Sequence, residues 1–237
     1  MSIYKRHHIL FLLVCSILIA QNQFDDEKLI YDVYFGRIYA GSAYISIQNE
    51  VLDSAEVYLM QAAFQTNSFF NRFYKINNIM NIWMNKDDLT FLKVENNINE
   101  KNYKKKFTSI ANYKDSLITF KKKRIKINSK TYNPFSIVYL LRNLDLKLGE
   151  TLPLTSFSNG KIKNFNIQFN KEEFISVPYG DFNCIKTIPI SSNNKELFRN
   201  NGQMRIWFTK DSLKIPIKIE QKLRFGTILL KLNKIKH

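Results

Sequence analysis

The segment that most constrains the fold runs from Leu213 to Phe225, near the end of the chain. Its apolar and charged side chains alternate, and Gln221 alone interrupts the apolar set. That set comprises Leu213, Ile215, Ile217, Ile219, Leu223 and Phe225. Because successive side chains of a β-strand point to opposite faces, the pattern predicts a strand with one apolar and one charged face. Such strands are typical of antiparallel sheets that pack one face on a core and expose the other.

Segments of this kind recur from Tyr31 to Leu232 and predict roughly ten or more strands, most of them joined by hairpins. Asn159-Gly160 is a strong hairpin signal between two of them. Strands do not alternate with long helices, so the sheet should be antiparallel. A large sheet with one apolar face must curl on itself or be covered. We therefore predict an all-β fold, mainly antiparallel, in which a large curled sheet or open β-barrel carries one short helix.

The one predicted helix spans Asn133 to Asn143, with the sequence NPFSIVYLLRN. Asn133 suits the N-cap, and Pro134 suits the first helical position, where its missing N–H would have no partner. So short a helix must be held by packing on the sheet. We expect it to plug one end of the curled sheet or to lie across that end.

The start of the chain has the layout of a secretory signal peptide. Lys5 and Arg6 precede a largely apolar run from Ile9 to Ala20, and polar residues follow at once. This run is shorter than the roughly 20 apolar residues that span a bilayer comfortably. We therefore predict a signal peptide over residues 1–20, cleaved after Ala20, and a single exported β domain over residues 21–237. An uncleaved anchor and a lipoprotein modified at Cys15 are the alternatives.

Loss of that segment would leave few residues for catalysis or metal binding. The remaining chain holds one cysteine, Cys184, and one histidine, His237. This excludes an intramolecular disulfide and argues against a Ser-His-Asp triad or a histidine-ligated metal. Cys184 lies an even number of residues from Phe182 and Ile188, so in a strand it has the same parity as these residues and its side chain lies on their face. We therefore expect a buried thiol. We predict no catalytic residue, no metal, no cofactor and no enzymatic activity; a hydrolase that uses two carboxylates is the enzymatic alternative.

The formal net charge is +16, and the most basic stretch runs from Lys101 to Lys130. Tyr103 and Phe107 share one parity there, while Lys104 and Lys106 share the other. The lysines then lie on solvated faces of strands whose rings pack inward; the alternative is a face that binds an anion. We expect no nucleic acid as a partner, because strand parity separates the rings from the lysines, whereas binding to bases needs both on one side.

Four residues are candidates for binding a ligand: Tyr139, Arg142, Trp207 and Asp211. Tyr139 and Arg142 are three residues apart on the predicted helix and share a side. At the mouth of a barrel they would meet an acidic or amphipathic ligand. Alternatively, Arg142 pairs with an acid of the sheet such as Asp211, and Tyr139 packs its ring. Trp207 has the opposite parity to its apolar neighbours, and is either a packing residue of the outer face or a ring that binds a partner.

Four segments carry a family resemblance. They are YDVYFGRIYAGSA near the start, and PFSIVYLLRNLDLKLGETL, VPYGDFNCIKTIP and GQMRIWFTKDSLKIPIKIEQKLRFGTILLKL in the second half. The residues concerned are Tyr31, Gly36, Gly41, Ser136, Tyr139, Leu141, Arg142, Gly149, Val177, Pro178, Gly180, Phe182, Trp207, Asp211 and Pro216. In their order and spacing these segments resemble a bacterial exported family catalogued as domain of unknown function 3108 (DUF3108). The resemblance extends from Leu29 to Leu232 and is weak between Phe64 and Lys130. It implies a periplasmic, mostly antiparallel β protein, with no established activity and no catalytic residues.

Two functions follow for an exported protein of the periplasm or cell envelope of a bacterium. The first is non-enzymatic binding or carriage of a lipid or other hydrophobic ligand in the curled sheet, because aromatic residues concentrate on inward parity and one short helix cannot cover the sheet. The alternative is an interaction or structural protein whose basic face binds anionic lipid, glycan or a protein partner. After cleavage, contact with a membrane should be peripheral at most. The sequence leaves the oligomeric state open.

Overall fold

The computed structural model describes Phe24 and residues 26–191, 203–224 and 226–237. The predicted signal peptide and its cleavage site lie in residues 1–23, outside the described residues. Within the described ranges, no helix is both long and apolar enough to cross a membrane.

Fourteen strands and two short helices make up the described chain. The strands are β1 (Glu27–Phe35), β2 (Ile38–Leu52), β3 (Ala55–Thr66), β4 (Asn77–Asn85), β5 (Phe91–Glu100), β6 (Tyr103–Asn112), β7 (Leu117–Phe120), β8 (Lys123–Lys126), β9 (Thr151–Ser158), β10 (Lys161–Val177), β11 (Gly180–Ile190), β12 (Gln203–Thr209), β13 (Pro216–Leu223) and β14 (Gly226–Lys236). The helices are α1 (Ser68–Asn71), between β3 and β4, and α2 (Ile137–Arg142), between β8 and β9.

All fourteen strands form one antiparallel sheet, in the order β8-β7-β6-β5-β4-β3-β2-β1-β14-β13-β12-β11-β10-β9. Each strand therefore lies beside its neighbours in sequence, with two exceptions: β1 pairs with β14, and β8 does not pair with β9. The sheet curls without closing, so β8 and β9 are its edges. This confirms the predicted all-β, mainly antiparallel fold built on one large curled sheet.

The gap between the two edges, which we call the seam, is bridged by the chain between β8 and α2. The Tyr132 N–H donates to the Thr155 carbonyl of β9, and the Phe157 N–H donates back to the Tyr132 carbonyl, both at 2.9 Å. Phe157 also packs on Phe91 and Phe120, with ring centroids 5.8 and 6.0 Å apart. Packed rings and one isolated parallel bridge therefore join the edges in place of a continuous ladder.

Helix α2 lies in the core, with five of its six side chains buried. Tyr139 belongs to the larger apolar cluster, which includes residues of β1 to β7 and of β14. Ile137, Val138 and Leu141 belong to a second cluster, built with residues of β9 to β13. The helix thus packs against both parts of the sheet, as its brevity requires.

The start of α2 differs from the prediction of a helix that begins after Asn133. The Asn133 Oδ1 atom accepts a hydrogen bond from the Phe135 N–H at 2.9 Å. This bond closes a turn ahead of the helix, because an Asn side chain competes with the helical pattern for backbone donors. Regular helix then begins at Ile137, with Ser136 as N-cap residue.

The aromatic and asparagine-rich sequence from Phe69 to Trp83 predicts a strand, a loop and another strand. The region instead starts with helix α1. Asn67 is the N-cap of α1, and its Oδ1 atom accepts from the Phe70 N–H at 2.9 Å. Strand β4 begins only at Asn77. The prediction of a first strand was therefore wrong, because a polar cap outweighed the strand preference of the aromatic residues.

Antiparallel pairing places successive connections at alternate ends of the sheet. One end carries α1 and the β1–β2, β5–β6, β7–β8, β9–β10 and β13–β14 turns, and we call it the α1 end. The other end carries α2 and the remaining described connections, and we call it the α2 end.

Candidate functional site

The inner face of the sheet is filled near the α2 end and becomes accessible toward the α1 end. Ile47, Met60, Ile82 and Val94 pair in one row across β2 to β5 and are only 0–3% exposed. Two rows nearer the α1 end are half-buried on β4 to β6. Their members are Met80, Asn96 and Phe107 in one row, and Asn78, Ile98 and Lys105 in the next. On β4 to β6 solvent therefore reaches the α1 half of the inner face, while the row of Ile82 and Val94 is closed off.

These half-buried residues, together with Phe64 of β3, form what we call the open surface. Its apolar members are Phe64, Met80, Ile98 and Phe107, and its polar members are Asn78, Asn96 and Lys105. Asn78 is fixed in place, because its Nδ2 atom donates to Glu100 Oε1 at 2.6 Å and its Oδ1 atom accepts from the Asn99 N–H at 2.9 Å. A surface that is mostly apolar with a few placed polar groups suits an amphipathic ligand.

Lys105 brings positive charge to the open surface. Its ammonium group lies beside that of Lys121 in the β7–β8 turn, and the close contact and repulsion between the two positive charges lower the pKa of Lys121. A groove of about 510 Å³ adjoins Lys121, where β6 extends past the end of β7; Phe107 is among its lining residues, together with Lys106 and Ile110, which face outward. An anion placed between the two ammonium groups would relieve their repulsion.

Two of the predicted site residues, Tyr139 and Arg142, meet in the core and not at an open mouth. Arg142 is 1% exposed and makes a two-pronged ion pair with Glu27 of β1, with N–O distances of 2.5 and 2.9 Å. The Tyr139 hydroxyl donates to Glu27 Oε1 at 3.3 Å, and burial raises the pKa of Tyr139. The Phe24 ring lies 5.1 Å from the Arg142 guanidinium carbon. This packing leaves no access for a ligand.

Arg142 pairs with an acid of the sheet, as one interpretation predicted, but this acid is Glu27 and not Asp211, the example given. Asp211 and Arg142 nevertheless belong to one network. Asp211 Oδ1 accepts from the Thr209 hydroxyl and from the N–H groups of Leu213 and Lys214. These bonds hold a turn, so β13 begins at Pro216 and not at Leu213. Arg142 Nε donates to the Leu213 carbonyl of that turn at 3.0 Å. Asp211 therefore holds the turn that positions the Leu213 carbonyl for Arg142, but its carboxylate does not pair with the guanidinium group.

Trp207, the fourth predicted site residue, is 3% exposed and packs within the sheet. Its Nε1 atom donates to Glu173 Oε2 at 2.7 Å, and the Lys218 ammonium lies 4.1 Å from the ring centroid. Burial raises the pKa of Glu173, but hydrogen bonds from Lys186, Lys171 and Trp207 outweigh it and lower the pKa to about 2. Of the two interpretations of Trp207, the packing role fits this environment.

Glu27 and Lys105 are the residues that the sequence analysis missed. Glu27 was counted with the polar residues after the apolar run, yet it shares the parity of Leu29, Tyr31 and Val33 in β1, whose side chains are buried. Lys105 likewise shares the parity of Phe107 and faces inward between solvated lysines. In both cases an inward-facing charge in an otherwise apolar register was the available signal.

The described residues offer little for metal or thiol chemistry. No group of three or more His, Cys, Asp or Glu side chains in this part of the chain is placed to hold a metal ion. Cys184 is fully buried, as predicted, and burial raises the pKa of its thiol to about 12. A thiol with so high a pKa stays protonated and inert at neutral pH.

A search of curated proteins found no match to this chain. Among solved structures, the chain is similar to the crystal structure of a beta-barrel-like protein of domain of unknown function DUF1849 from Brucella abortus, with a TM-score of 0.62 and 11% identity. The match covers 90% of this chain and 98% of that one, and at this identity it supports the curled β fold alone. The model of the protein family of unknown function DUF3108 matches residues 30–233. This confirms the resemblance seen in the sequence: the chain belongs to the DUF3108 family.

Proposed function

We propose that this protein is a non-enzymatic, exported binder or carrier of a lipid or similar amphipathic ligand, which it holds on the open surface of its curled sheet. The observation that carries the proposal is the gradient of burial along the inner face. Ile82 and Val94 are closed off, whereas Met80 and Phe107, two residues nearer the α1 end, stay accessible. A sheet that needed only a packed core would bury both rows.

The packing of the α2 half of the inner face supports this assignment. Helix α2, the Glu27–Arg142 pair and the packed rings of the seam occupy much of that half. A ligand would therefore enter from the α1 end and lie along β3 to β6. The inner face is thus packed toward the α2 end and accessible toward the α1 end. This arrangement suits a ligand that inserts one apolar end.

The polar groups favour a ligand with an anionic head. Lys105 and Lys121 lie at the margin of the open surface, next to the ring of Phe107. An acyl chain on Phe64, Met80 and Phe107 would leave its carboxylate or phosphate within reach of the two ammonium groups. Charge-assisted hydrogen bonds to such a head are the stronger kind.

The first test fills the open surface. Asn96→Trp places an indole between Met80 and Phe107, whereas Asn97→Trp makes the same change on the exposed outer face of the same strand. Each methylene that loses its contact costs about 0.8 kcal/mol. We expect binding of a fluorescent long-chain fatty acid to weaken at least about tenfold in Asn96→Trp and to stay unchanged in Asn97→Trp.

Native mass spectrometry and organic extraction of the purified protein provide the complementary readout. A stoichiometric lipid that is present in the wild type and absent from Asn96→Trp supports the proposal and identifies the ligand class. If the wild-type protein carries no lipid and takes up no fatty acid, or if both tryptophan variants bind as well as the wild type, the proposal is wrong. Circular dichroism confirms that each variant is folded.

The second test concerns the anionic head. Lys105→Met removes the inward ammonium group, and Lys104→Met removes its exposed outward neighbour. A lost charge-assisted hydrogen bond weakens binding by about tenfold. We expect Lys105→Met to reduce the preference for a fatty acid over the fatty alcohol of equal length by about tenfold, while Lys104→Met retains that preference. An equal effect of both substitutions would indicate general charge attraction and contradict a head-group site.

A further inference from the structure

We propose that the α1 end of the sheet docks onto the surface of a bilayer that contains anionic phospholipid. This inference goes beyond ligand binding on the open surface, because it concerns mainly the turns and helix α1 at the end of the sheet, which could act whether or not a ligand is bound. It depends on three observations: the charge of the connections at the two ends, the exposed rings of the α1 end, and the bonds that unite those connections into one surface.

The two ends of the sheet differ in charge. The described connections at the α1 end contain seven basic residues and no acidic one, and Arg37, Arg72, Lys75 and Lys101 belong to this set. The described connections at the α2 end contain seven basic and seven acidic residues, with Arg142 of α2 counted among the basic ones. The excess charge of the connections is therefore concentrated at one end. Such a polarised field orients a protein toward a negative surface.

Apolar rings accompany these charges. Phe69 and Phe73 are exposed, and their ring centroids are 5.6 Å apart. Tyr39, Tyr74 and Tyr103 are exposed at the same end. Aromatic side chains beside arginine and lysine are the combination found where proteins insert into the head-group region of a bilayer.

Hydrogen bonds join three connections into one continuous surface. The Asn67 N–H donates to the Ala40 carbonyl at 2.9 Å, which ties α1 to the start of β2. The Lys101 N–H donates to the Lys75 carbonyl at 2.7 Å, which ties the β5–β6 turn to the chain after α1. Rings and charges that project from linked turns can contact a flat surface together.

A bilayer fits these features better than an anionic glycan does. An anionic glycan offers charge but little apolar volume in which Phe69 and Phe73 could be buried, whereas a bilayer offers both. Exposed apolar side chains also occur at the α2 end, Phe135 among them, but acids balance the basic residues there. Among the connections that the structure describes, those at the α1 end alone combine a net positive charge with exposed rings.

The test is co-sedimentation of the purified protein with vesicles. One set consists of an equimolar mixture of phosphatidylcholine and phosphatidylglycerol, and the other of phosphatidylcholine alone. We expect binding to the mixed vesicles that weakens as salt is added, because salt screens exposed charges. Each basic residue near an anionic surface contributes about fivefold to affinity. The variant Arg72→Glu/Lys75→Glu should therefore bind at least about twentyfold more weakly.

Two matched controls separate docking from general charge or hydrophobicity. Lys114→Glu/Lys147→Glu makes the same change in charge at the α2 end and should bind nearly as the wild type does. Phe73→Ser should weaken binding, whereas Phe174→Ser, in the part of β10 nearest the α2 end, should not; the two residues are 64% and 67% exposed. Fatty-acid uptake without vesicles is measured on every variant, so that failure of docking and failure of ligand binding are told apart.

Three outcomes would overturn the proposal. One is equal binding to both kinds of vesicle. Another is an equal loss of binding in the α1-end and α2-end variants. The third is salt-sensitive binding to heparin with none to vesicles, which would assign the α1 end to an anionic glycan.

Discussion

Glu27 and Arg142 form an ion pair in the core of a sheet whose surface is rich in lysine. The two side chains are 8% and 1% exposed, so both charges have given up water for each other, for the Tyr139 hydroxyl and for the Leu213 carbonyl. A buried pair of this kind contributes little net stability, but removal of one partner leaves the other charge uncompensated. The pair therefore fixes the position of α2 against β1.

We expect Glu27→Gln to lower the free energy of unfolding by about 3–5 kcal/mol, because the Arg142 guanidinium stays buried without a counter-charge. Urea denaturation followed by circular dichroism measures the change. Glu56→Gln is the control, since Glu56 pairs with Lys86 at 3.0 Å but its side chain is 79% exposed, and such a pair contributes about 1 kcal/mol or less. A loss for Glu27→Gln no larger than for Glu56→Gln would show that the core pair does not hold α2.

Glu173 gives a pH dependence with a definite sign. Its pKa in the folded protein is about 2, below its usual 4.5. A carboxyl group with a lowered pKa adds stability above its usual pKa, and this stability is lost as pH falls toward the folded value. We expect Glu173→Gln to cost about 2 kcal/mol near neutral pH, about half as much at about pH 3, and little at about pH 2. The free energy of unfolding at several pH values tests this. Glu172→Gln, at the next position, should show a smaller change, and an equal change would contradict the assignment to Glu173.

At the scale of elements, the strands with strict alternation were predictable and the short helix α1 was not. The alternating segment ahead of the last strand and the Asn159-Gly160 hairpin both appear in the sheet. Helix α1 has four residues, too few for a helical period, and its aromatic residues favoured a strand. Only Asn67, a good N-cap, indicated it.

Asn67 holds α1 in two ways, and substitution separates them. Its Oδ1 atom caps the helix at the Phe70 N–H, and its Nδ2 atom donates to the Tyr39 carbonyl at 2.9 Å. We expect Asn67→Ala to cost about 1 kcal/mol and to speed amide hydrogen exchange in residues 68–74. Asn67→Asp keeps the cap and loses the bond to Tyr39, so it should protect the Phe70 amide while loosening the contact with β2. Equal exchange in both variants and the wild type would mean that α1 is held by other contacts.

The candidate site, too, was predictable from the sequence only where its residues are close together in the chain. Helical spacing correctly placed Tyr139 and Arg142 on one side of a helix. Their acidic partner lies 115 residues away in β1, and its nearness depends on the pairing of β1 with β14, which no local pattern specifies. Sequence parity likewise predicts that Met80 and Phe107 face inward. It does not predict which residues they pair with across the sheet, and this position along the strands decides whether an inward side chain is buried or accessible.

For the whole molecule, the open question of organisation is whether the curled sheet unfolds as one unit. Strands β1 to β8 and β9 to β14 form two successive meanders that meet at the β1–β14 pair and at the seam. The larger apolar cluster includes Ile82 and Met84 from the first meander and Ile217 and Leu232 from the second. Helix α2 also packs on both. A shared core of this kind favours a single cooperative transition.

The two tryptophans allow a direct test, because Trp83 lies in β4 and Trp207 in β12, one in each meander. In Trp207→Phe the fluorescence reports on the first meander, and in Trp83→Phe it reports on the second. We expect the fluorescence and circular dichroism transitions in urea to coincide within each variant, even though Trp207→Phe loses a hydrogen bond to Glu173 and unfolds at lower urea. The comparison is made within a variant, so this loss does not affect it. A fluorescence transition separated from that of circular dichroism would show that the meanders unfold independently, and that the β1–β14 pair and the seam join two units instead of completing one.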